Sequence, residues 1–317
     1  MRVLVTDSDY PSLHIETDVL DAAGLELATA SCRTAEEVIE AAAAVDALLV
    51  QYAPITAAVF EALPQLRLVS RYGVGVDVVD LEAARTHRVW VCNVPDYGTA
   101  EVALHAVAML LALLRNLAGH DRQVRAGHWD YQLGGPLRRP GSETLGVVGL
   151  GRIGRMTAER AAPWFGAAVG YDPYLPDTGW PKRLERVGLQ DLFARSSAIT
   201  LHLPLTEATR GLVGTDLLER MPKGSYLVNT ARGGLVDLDA LLEALESGWL
   251  AGVALDVLPQ EPPPTDHPLL THPRALITPH VAWYSVDSEV ELRRKAAQNI
   301  VDWARTGRPT YAVVEGS

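Results

Sequence analysis

In the stretch LITPHVAWYS, a histidine follows a proline directly at the end of a short apolar run: His280. A histidine so placed either packs at a strand end or moves a proton. Proton transfer near neutral pH favours a carboxylate neighbour, which stabilises the charged ring and fixes its tautomer. Glu261, in DVLPQEPPP, is the candidate, because flanking prolines stiffen its loop and hold the carboxylate in one pose. Without His280 it would read as a solvated loop glutamate. Three further groups stand at the ends of apolar runs: His202 with Pro204 closing AITLHLP, Arg232 after SYLVNTA, and Asp256 in GVALDV. Singly, each is a turn or a satisfied polar residue. Together, at one edge of a sheet, they line a site.

A second chemistry is written in TLGVVGLGRIGRMTAERAAPWFGAAVGYDP. Gly149, Gly151 and Gly154 make G-x-G-x-x-G directly after a predicted strand and before a predicted helix starting near Arg152. The first glycine permits the tight turn, the second lets backbone approach a pyrophosphate, and the third lets the helix pack on the strand. The phosphates then lie at the helix N-terminus. Asp172 ends the next predicted strand, 18 residues beyond Gly154. A carboxylate there accepts both adenosine-ribose hydroxyls and repels a 2′-phosphate, so NAD (NAD+/NADH) is expected in preference to NADP. The competing reading of Asp172 is a turn residue before Pro173.

A third candidate is RYGVGVDVVD, where Arg71 ends a predicted strand and Tyr72-Gly73-Val74-Gly75 follows as a turn. Successive amides in such a turn form an anion nest, and an arginine reaches the same carboxylate. A strand-to-helix turn that merely needs two glycines explains it equally well.

These groups need elements to hold them. Ligands of open α/β sheets bind beyond the carboxyl ends of the strands, and the chain alternates short β-branched runs with helical periods almost throughout. Strands are predicted at RVLVT, LELATA, ALLVQ, RLVSR and VWVCN, then at TLGVVGL, AAVGYD, AITLHL, SYLVNTA, AGVALDV and ALITPH. Thr34 and Glu37 have capping-box spacing. A long helix is predicted from Thr99 to Arg115, with an apolar surface too wide for one solvent-facing side. The Gly- and Pro-rich GHWDYQLGGPLRRPGSE reads as a crossing loop, and a last helix runs from about Val286 to Ala304 before the tail PTYAVV.

At 317 residues the chain is long enough for two domains. Its net charge of −11 argues against nucleic acid as a direct ligand, since phosphate contacts need clustered Lys and Arg. The run VALHAVAMLLALL is too short to span a bilayer, so no membrane partner is expected. The two cysteines, Cys32 and Cys92, lack metal or disulfide spacing, and no signal sequence opens the chain; a cytoplasmic location and no metal are expected.

Taken together, GLGRIG with YDP, LHLPLTEATRGLV, VNTARGGLVD, ALDV with EP, and TPHVAW resemble the D-2-hydroxyacid dehydrogenase family, from about RYGVGVD to the last helix. YDPYL, NTARGGLVD and TPHVAWYS most resemble its C-terminal-binding-protein branch (CtBP-like), NAD-binding transcriptional corepressors that retain a dehydrogenase site. The resemblance implies an α/β fold: a Rossmann dinucleotide-binding domain, residues 99–284, inserted in a smaller flavodoxin-like α/β substrate-binding domain of residues 1–98 plus 285–317. It implies that His280 is the general acid/base, Glu261 its carboxylate partner, and Arg232 the guanidinium that binds the substrate carboxylate and polarises the reacting carbonyl. Val74 and Gly75 match backbone that holds that carboxylate. Tyr52, Arg71 and Trp283 match substrate-facing positions. Thr99, Arg152, Ile153, Tyr171, His202, Pro204, Thr209, Thr230 and Ala231 join the three glycines and Asp172 as expected cofactor contacts, with Asp256 near the nicotinamide amide and Arg232 and His280 also touching the cofactor.

The implied reaction is NADH-dependent reduction of a 2-oxo acid to a D-2-hydroxy acid by an oxidoreductase, with the first domain closing about a hinge near Gly98 and Ala282. A rival within the fold is a phosphoglycerate, glyoxylate or phosphonate-type substrate; a rival outside catalysis is an NAD(H)-sensing dimer that recruits proteins. Trp283 either walls the substrate pocket or caps the hinge. The Thr99 helix suggests homodimer contacts. Two departures are Val78, where many relatives carry Asn, and Leu104, where many carry Asp. The regulatory C-terminal domain of some phosphoglycerate dehydrogenases is not expected.

Overall fold

The valine- and leucine-rich runs form strands because helices cover both faces of each sheet, the arrangement parallel sheets require. The computed structural model describes residues 1–317 and divides into two compact units, Met1–Gly98 with Ser285–Ser317, and Thr99–Tyr284.

In the first unit, β1 (Arg2–Val5), β2 (Glu26–Thr29), β3 (Ala47–Val50), β4 (Leu68–Arg71) and β5 (Trp90–Cys92) are parallel and ordered β2-β1-β3-β4-β5. This is the flavodoxin-like order. The helix Ala35–Ala41 opens on the expected capping box of Thr34 and Glu37. The helix Val286–Thr306 starts on a Ser285 capping box and stops at Gly307, whose φ of +77° is a left-handed cap. It buries Leu292, Ala296, Ala297 and Ile300, each large side chain contributing roughly 1.5–3 kcal/mol. Two polar contacts set its register: Ser70 Oγ donates to the Ala296 carbonyl (2.8 Å), and Asn299 Nδ2 to that of Asn93 (3.0 Å). On the same helix the buried Arg293 makes two 2.8 Å bonds to the buried Glu16 carboxylate, donates to the Ser12 carbonyl and lies 4.4 Å over the Tyr10 ring.

The second unit holds β6 (Thr144–Val148), β7 (Ala167–Tyr171), β8 (Glu185–Arg186), β9 (Ala198–Leu201), β10 (Ser225–Asn229), β11 (Leu250–Leu255) and β12 (Ala275–Ile277). All are parallel, in the order β8-β7-β6-β9-β10-β11-β12. This is the Rossmann order with one strand added, and its direction reverses between β6 and β9. The helix Thr99–Leu114 buries Ala103, Ala106, Val107, Leu110, Leu113 and Leu114 within this unit, whereas Leu104 stays 61% exposed with Ala108 exposed beside it. Its apolar surface is therefore divided between a buried face and an open stripe.

Three elements depart from expectation. A helix, Leu117–Arg125, follows the long one; it buries no residue, so no apolar period announces it. β8 is two exposed residues, and the tail forms β13 (Ala312–Val314), antiparallel beside β5.

Candidate active site

Between β6 and the helix Arg152–Ala161, backbone geometry separates the three loop glycines. Gly149 has φ +88°, and a Cβ there would stand 2.7 Å from the His202 carbonyl oxygen. A Cβ at Gly154 would fall 1.9 Å from the Gly149 oxygen. Both glycines are demanded by the fold itself. Gly151, the N-cap of the helix, differs: its added Cβ would meet nothing within 4 Å. The exposed Arg152 and half-buried Ile153 open that helix without a side-chain cap, so its first amides point outward with their partial positive charge. An open cradle at the one glycine the fold does not require fits a dinucleotide pyrophosphate.

Asp172, after Tyr171 at the end of β7, accepts the Leu150 N–H at Oδ2 (2.8 Å) and those of Tyr174 and Leu175 at Oδ1. It pins the glycine loop as well as carrying charge to the place expected for the ribose. Four acceptor sites on a carboxylate leave capacity for hydroxyls. His202 donates its N–H to the Val148 carbonyl (2.7 Å) across the switch point, and its Nε2 lies 3.0 Å from Thr200 Oγ1. Burial pushes its pKa down to about 3, so the ring is neutral. The Thr209 hydroxyl bonds the Pro204 carbonyl (2.7 Å) and tightens the turn after β9. Thr230 is buried after β10, and the Ala231 N–H goes to Asn229 Oδ1. Thr99 is the half-buried first residue of its helix.

At the carboxyl ends of β10 to β12 the ionisable groups converge. His280 Nδ1 stands 2.6 Å from Glu261 Oε2, while Glu261 Oε1 accepts the Leu258 N–H (2.8 Å). Nδ1–H therefore donates, leaving Nε2 as the ring nitrogen turned from the carboxylate. Burial alone would raise the Glu261 carboxyl, but the His280 hydrogen bond and charge, the Leu258 amide and the Arg232 charge carry it below the usual carboxylate range. Arg232 also donates to the Ala231 carbonyl (2.7 Å), and Asn229 Nδ2 holds the Arg232 carbonyl (2.9 Å).

His280 has φ +51°, a left-handed conformation that costs a non-glycine residue about 1–3 kcal/mol. Asp256 holds it there. Its backbone carbonyl accepts the His280 N–H (2.8 Å), and its 2%-exposed carboxylate accepts Thr278 Oγ1 (2.5 Å), Val281 N–H and Ala282 N–H (both 2.9 Å). Asp256, expected beside the nicotinamide amide, thus spends three acceptor positions on its own chain. Ala282, expected near a hinge, is likewise buried and bonded inside its unit; the chain passes between units at Gly98–Thr99 and Tyr284–Ser285. Trp283 stacks edge-on with Tyr284, their centroids 5.6 Å apart.

The first unit carries the other expected residues. Arg71, half-buried, folds over its own turn: a Cβ on Gly73 (φ +134°) would meet the Arg71 Nη1 at 1.7 Å. Val74 is exposed with its carbonyl held by Asn93 Nδ2 (2.7 Å), and Gly75 is half-exposed. Tyr52 is exposed at the end of β3, where the buried Asp7 accepts the N–H groups of Gln51, Tyr52 and Ala53. Asp7, Asn93, Asn229 and Thr278 are positioning residues that pattern reading missed: Asp7 and Asn93 act on backbone far along the chain, Thr278 on the distant Asp256 carboxylate, and Asn229 on its own turn. No group of His, Cys, Asp and Glu is arranged to hold a metal ion.

Residues 107–282 match the model of the D-isomer specific 2-hydroxyacid dehydrogenase NAD-binding domain. A glyoxylate reductase of Korarchaeum cryptofilum is 39% identical over 82% of this chain and 80% of its own. A D-3-phosphoglycerate dehydrogenase of Archaeoglobus fulgidus is 35% identical over 96% of this chain, which spans only 58% of that relative's length. Among solved structures, an NAD-dependent formate dehydrogenase from Staphylococcus aureus in complex with NAD superposes with a TM-score of 0.88 at 33% identity, covering 100% of both chains. The chain belongs to the D-isomer specific 2-hydroxyacid dehydrogenase family.

Proposed function

We propose that this protein is an NAD-dependent oxidoreductase that reduces a small 2-oxo acid to its D-2-hydroxy acid. The observation that carries the reading is the 2.6 Å His280–Glu261 pair, within the charge range of Arg232 and at the sheet edge that bears the glycine loop. NADH, held by the helix at Arg152 and by Asp172, supplies the hydride. Arg232 binds the substrate carboxylate and polarises the carbonyl. Such orientation is worth about 7–11 kcal/mol. His280 gives the proton on Nε2 to the developing alkoxide, while Glu261 balances the imidazolium through Nδ1. In the reverse direction neutral His280 takes the proton back. The Asp172 carboxylate favours NAD over a cofactor with a 2′-phosphate.

Glyoxylate and phosphoglycerate are the substrates named for the two relatives. A phosphate-bearing acid needs a cationic cluster, and the turn after β4 offers Arg71 alone; with Trp283 beside His280, an uncharged or apolar side chain is favoured. The open stripe of Leu104 and Ala108, together with Trp129 (91% exposed) and Tyr131 (82%), supports a homodimer. TPHVAWYS favours a second reading, an NAD(H)-sensing corepressor-like protein with little turnover.

The test follows NADH and NADPH oxidation across 2-oxo acids of graded size and charge, with His280→Ala as control. Turnover that is lost in His280→Ala and prefers NADH supports the proposal. Tight NADH binding without reduction of any acid would sink it in favour of the sensing role.

A further inference from the structure

A second histidine lies beneath the loop that carries the first. His105, on the helix Thr99–Leu114, places Nε2 3.1 Å from Thr278 Oγ1 and 3.7 Å from Asp256 Oδ1. Thr278 is 2.5 Å from the same Asp256 oxygen. A carboxylate only accepts, so the single hydroxyl proton of Thr278 points to Asp256. Thr278 must then accept from His105, which fixes that ring as the Nε2–H tautomer. A directed chain results: His105 Nε2–H to Thr278 Oγ1–H to Asp256 Oδ1. Its far end receives the amides of Val281 and Ala282, the two residues that follow the left-handed turn at His280.

We infer that His105 is a positioning residue for the proton-transfer loop: it orients the Thr278 hydroxyl, which steadies the Asp256 carboxylate that clamps Val281 and Ala282 directly after His280. The inference rests on the acid/base role proposed for His280, but its physical content is the rigidity of that turn. A hydroxyl left to rotate can donate elsewhere, and Asp256 then loses one of three charge-assisted bonds. The His280 turn, strained by its positive φ, is the part of the unit that opens when those bonds weaken.

Hydrogen exchange resolved at Val281 and Ala282 tests this in the full-length protein, without reference to turnover. His105→Leu, which cannot donate, is expected to speed exchange at these two amides about tenfold, the equivalent of one lost hydrogen bond. Amides of β6 and β10 should keep their protection, and His105→Gln, which restores a donor, should return both rates toward the parent. Thr278→Val should reproduce the His105→Leu pattern. On oxo-acid reduction, His105→Leu should lower kcat while leaving KM within about twofold, since ground-state binding is untouched. Unchanged exchange at Val281 and Ala282 overturns the inference. So does a rise spread equally over the central strands, or a Gln variant as impaired as Leu. A parent protein that reduces no oxo acid refutes the dehydrogenase proposal alone, and the exchange pattern still decides the role of His105.

Discussion

Replacing Gly151 with alanine separates what the fold needs from what the cofactor needs. The new methyl meets nothing within 4 Å, and the residue's φ of −65° suits any L-amino acid. Reduced freedom of the unfolded chain stabilises by about 0.4–1 kcal/mol. Alanine is a poorer N-cap than glycine by a comparable amount, roughly 0.5–1 kcal/mol. The two offset, so the melting temperature without cofactor should move by no more than about 2 °C. Binding should respond very differently, because the methyl occupies the space through which phosphate oxygens reach the helix amides. Loss of one charge-assisted hydrogen bond costs about 1.5–3 kcal/mol, a roughly 10- to 150-fold weaker Kd. Gly154→Ala is the counter-case: its Cβ collides with the Gly149 oxygen at 1.9 Å, and forced overpacking costs about 1–3 kcal/mol of stability. Fluorescence titration with NADH, paired with thermal melts of each variant alone, measures both quantities. A Gly151→Ala protein that binds NADH as tightly as the parent would show that the pyrophosphate does not cross this glycine.

Three further outcomes are expected. Arg293→Met leaves Glu16 charged and buried, so urea unfolding should report a loss of about 3–5 kcal/mol, largely recovered by adding Glu16→Leu; a loss under about 1 kcal/mol would mean that solvent reaches the pair. His202 has its folded pKa depressed to about 3. The unfolded state therefore binds more protons below about pH 6.5, and stability falls as pH drops from there, by at most about 1.4 kcal/mol per unit. The stability difference between parent and His202→Leu should follow that slope between about pH 6 and 4, and a flat difference contradicts a neutral enclosed ring. Glu261→Gln keeps an acceptor for His280 Nδ1 but removes the charge, and kcat/KM should fall about tenfold or more. Because the folded Glu261 carboxyl titrates below the usual range, its pairing is complete above that range and is lost only as pH falls through the lowered value. A parent rate profile limited by a group in the ordinary carboxylate range would assign that limb elsewhere.

Much of this architecture is readable from the chain because local patterns and global fold agree. β6, its glycines and β7 follow one another within a single β-α-β unit, and two of the three glycines, Gly149 and Gly154, answer a local steric demand. The pairing of His280 and Glu261 was also legible, since prolines flank the Glu261 loop and Pro279 directly precedes the histidine. The supports of the site were not. Thr278 and His105 are separated by 173 positions, and Asp7 meets the amides of residues 51–53 from 44 to 46 positions away. No period or spacing encodes such pairings; only the sheet order brings them together. The helix Leu117–Arg125 escaped for the opposite reason, as it buries nothing and so carries no apolar rhythm. Asp256 shows how one residue type admits two readings: a carboxylate at a strand end suggests a ligand, whereas here its oxygens hold backbone.

The first unit is built from both ends of the chain, and this orders its birth on the ribosome. Its first five strands emerge early, but the helix that covers Ser70 and Asn93, with the arginine that neutralises Glu16, arrives only after all of Thr99–Tyr284 has been synthesised. The inserted unit, contiguous in sequence, can fold while the earlier one still lacks its last helix and edge strand. Until then, the apolar face awaiting Leu292, Ala296 and Ile300 lies open and Glu16 has no counter-charge. A nascent chain stalled before residue 285 should therefore hold a finished nucleotide-binding unit beside a half-made one that chaperones would recognise.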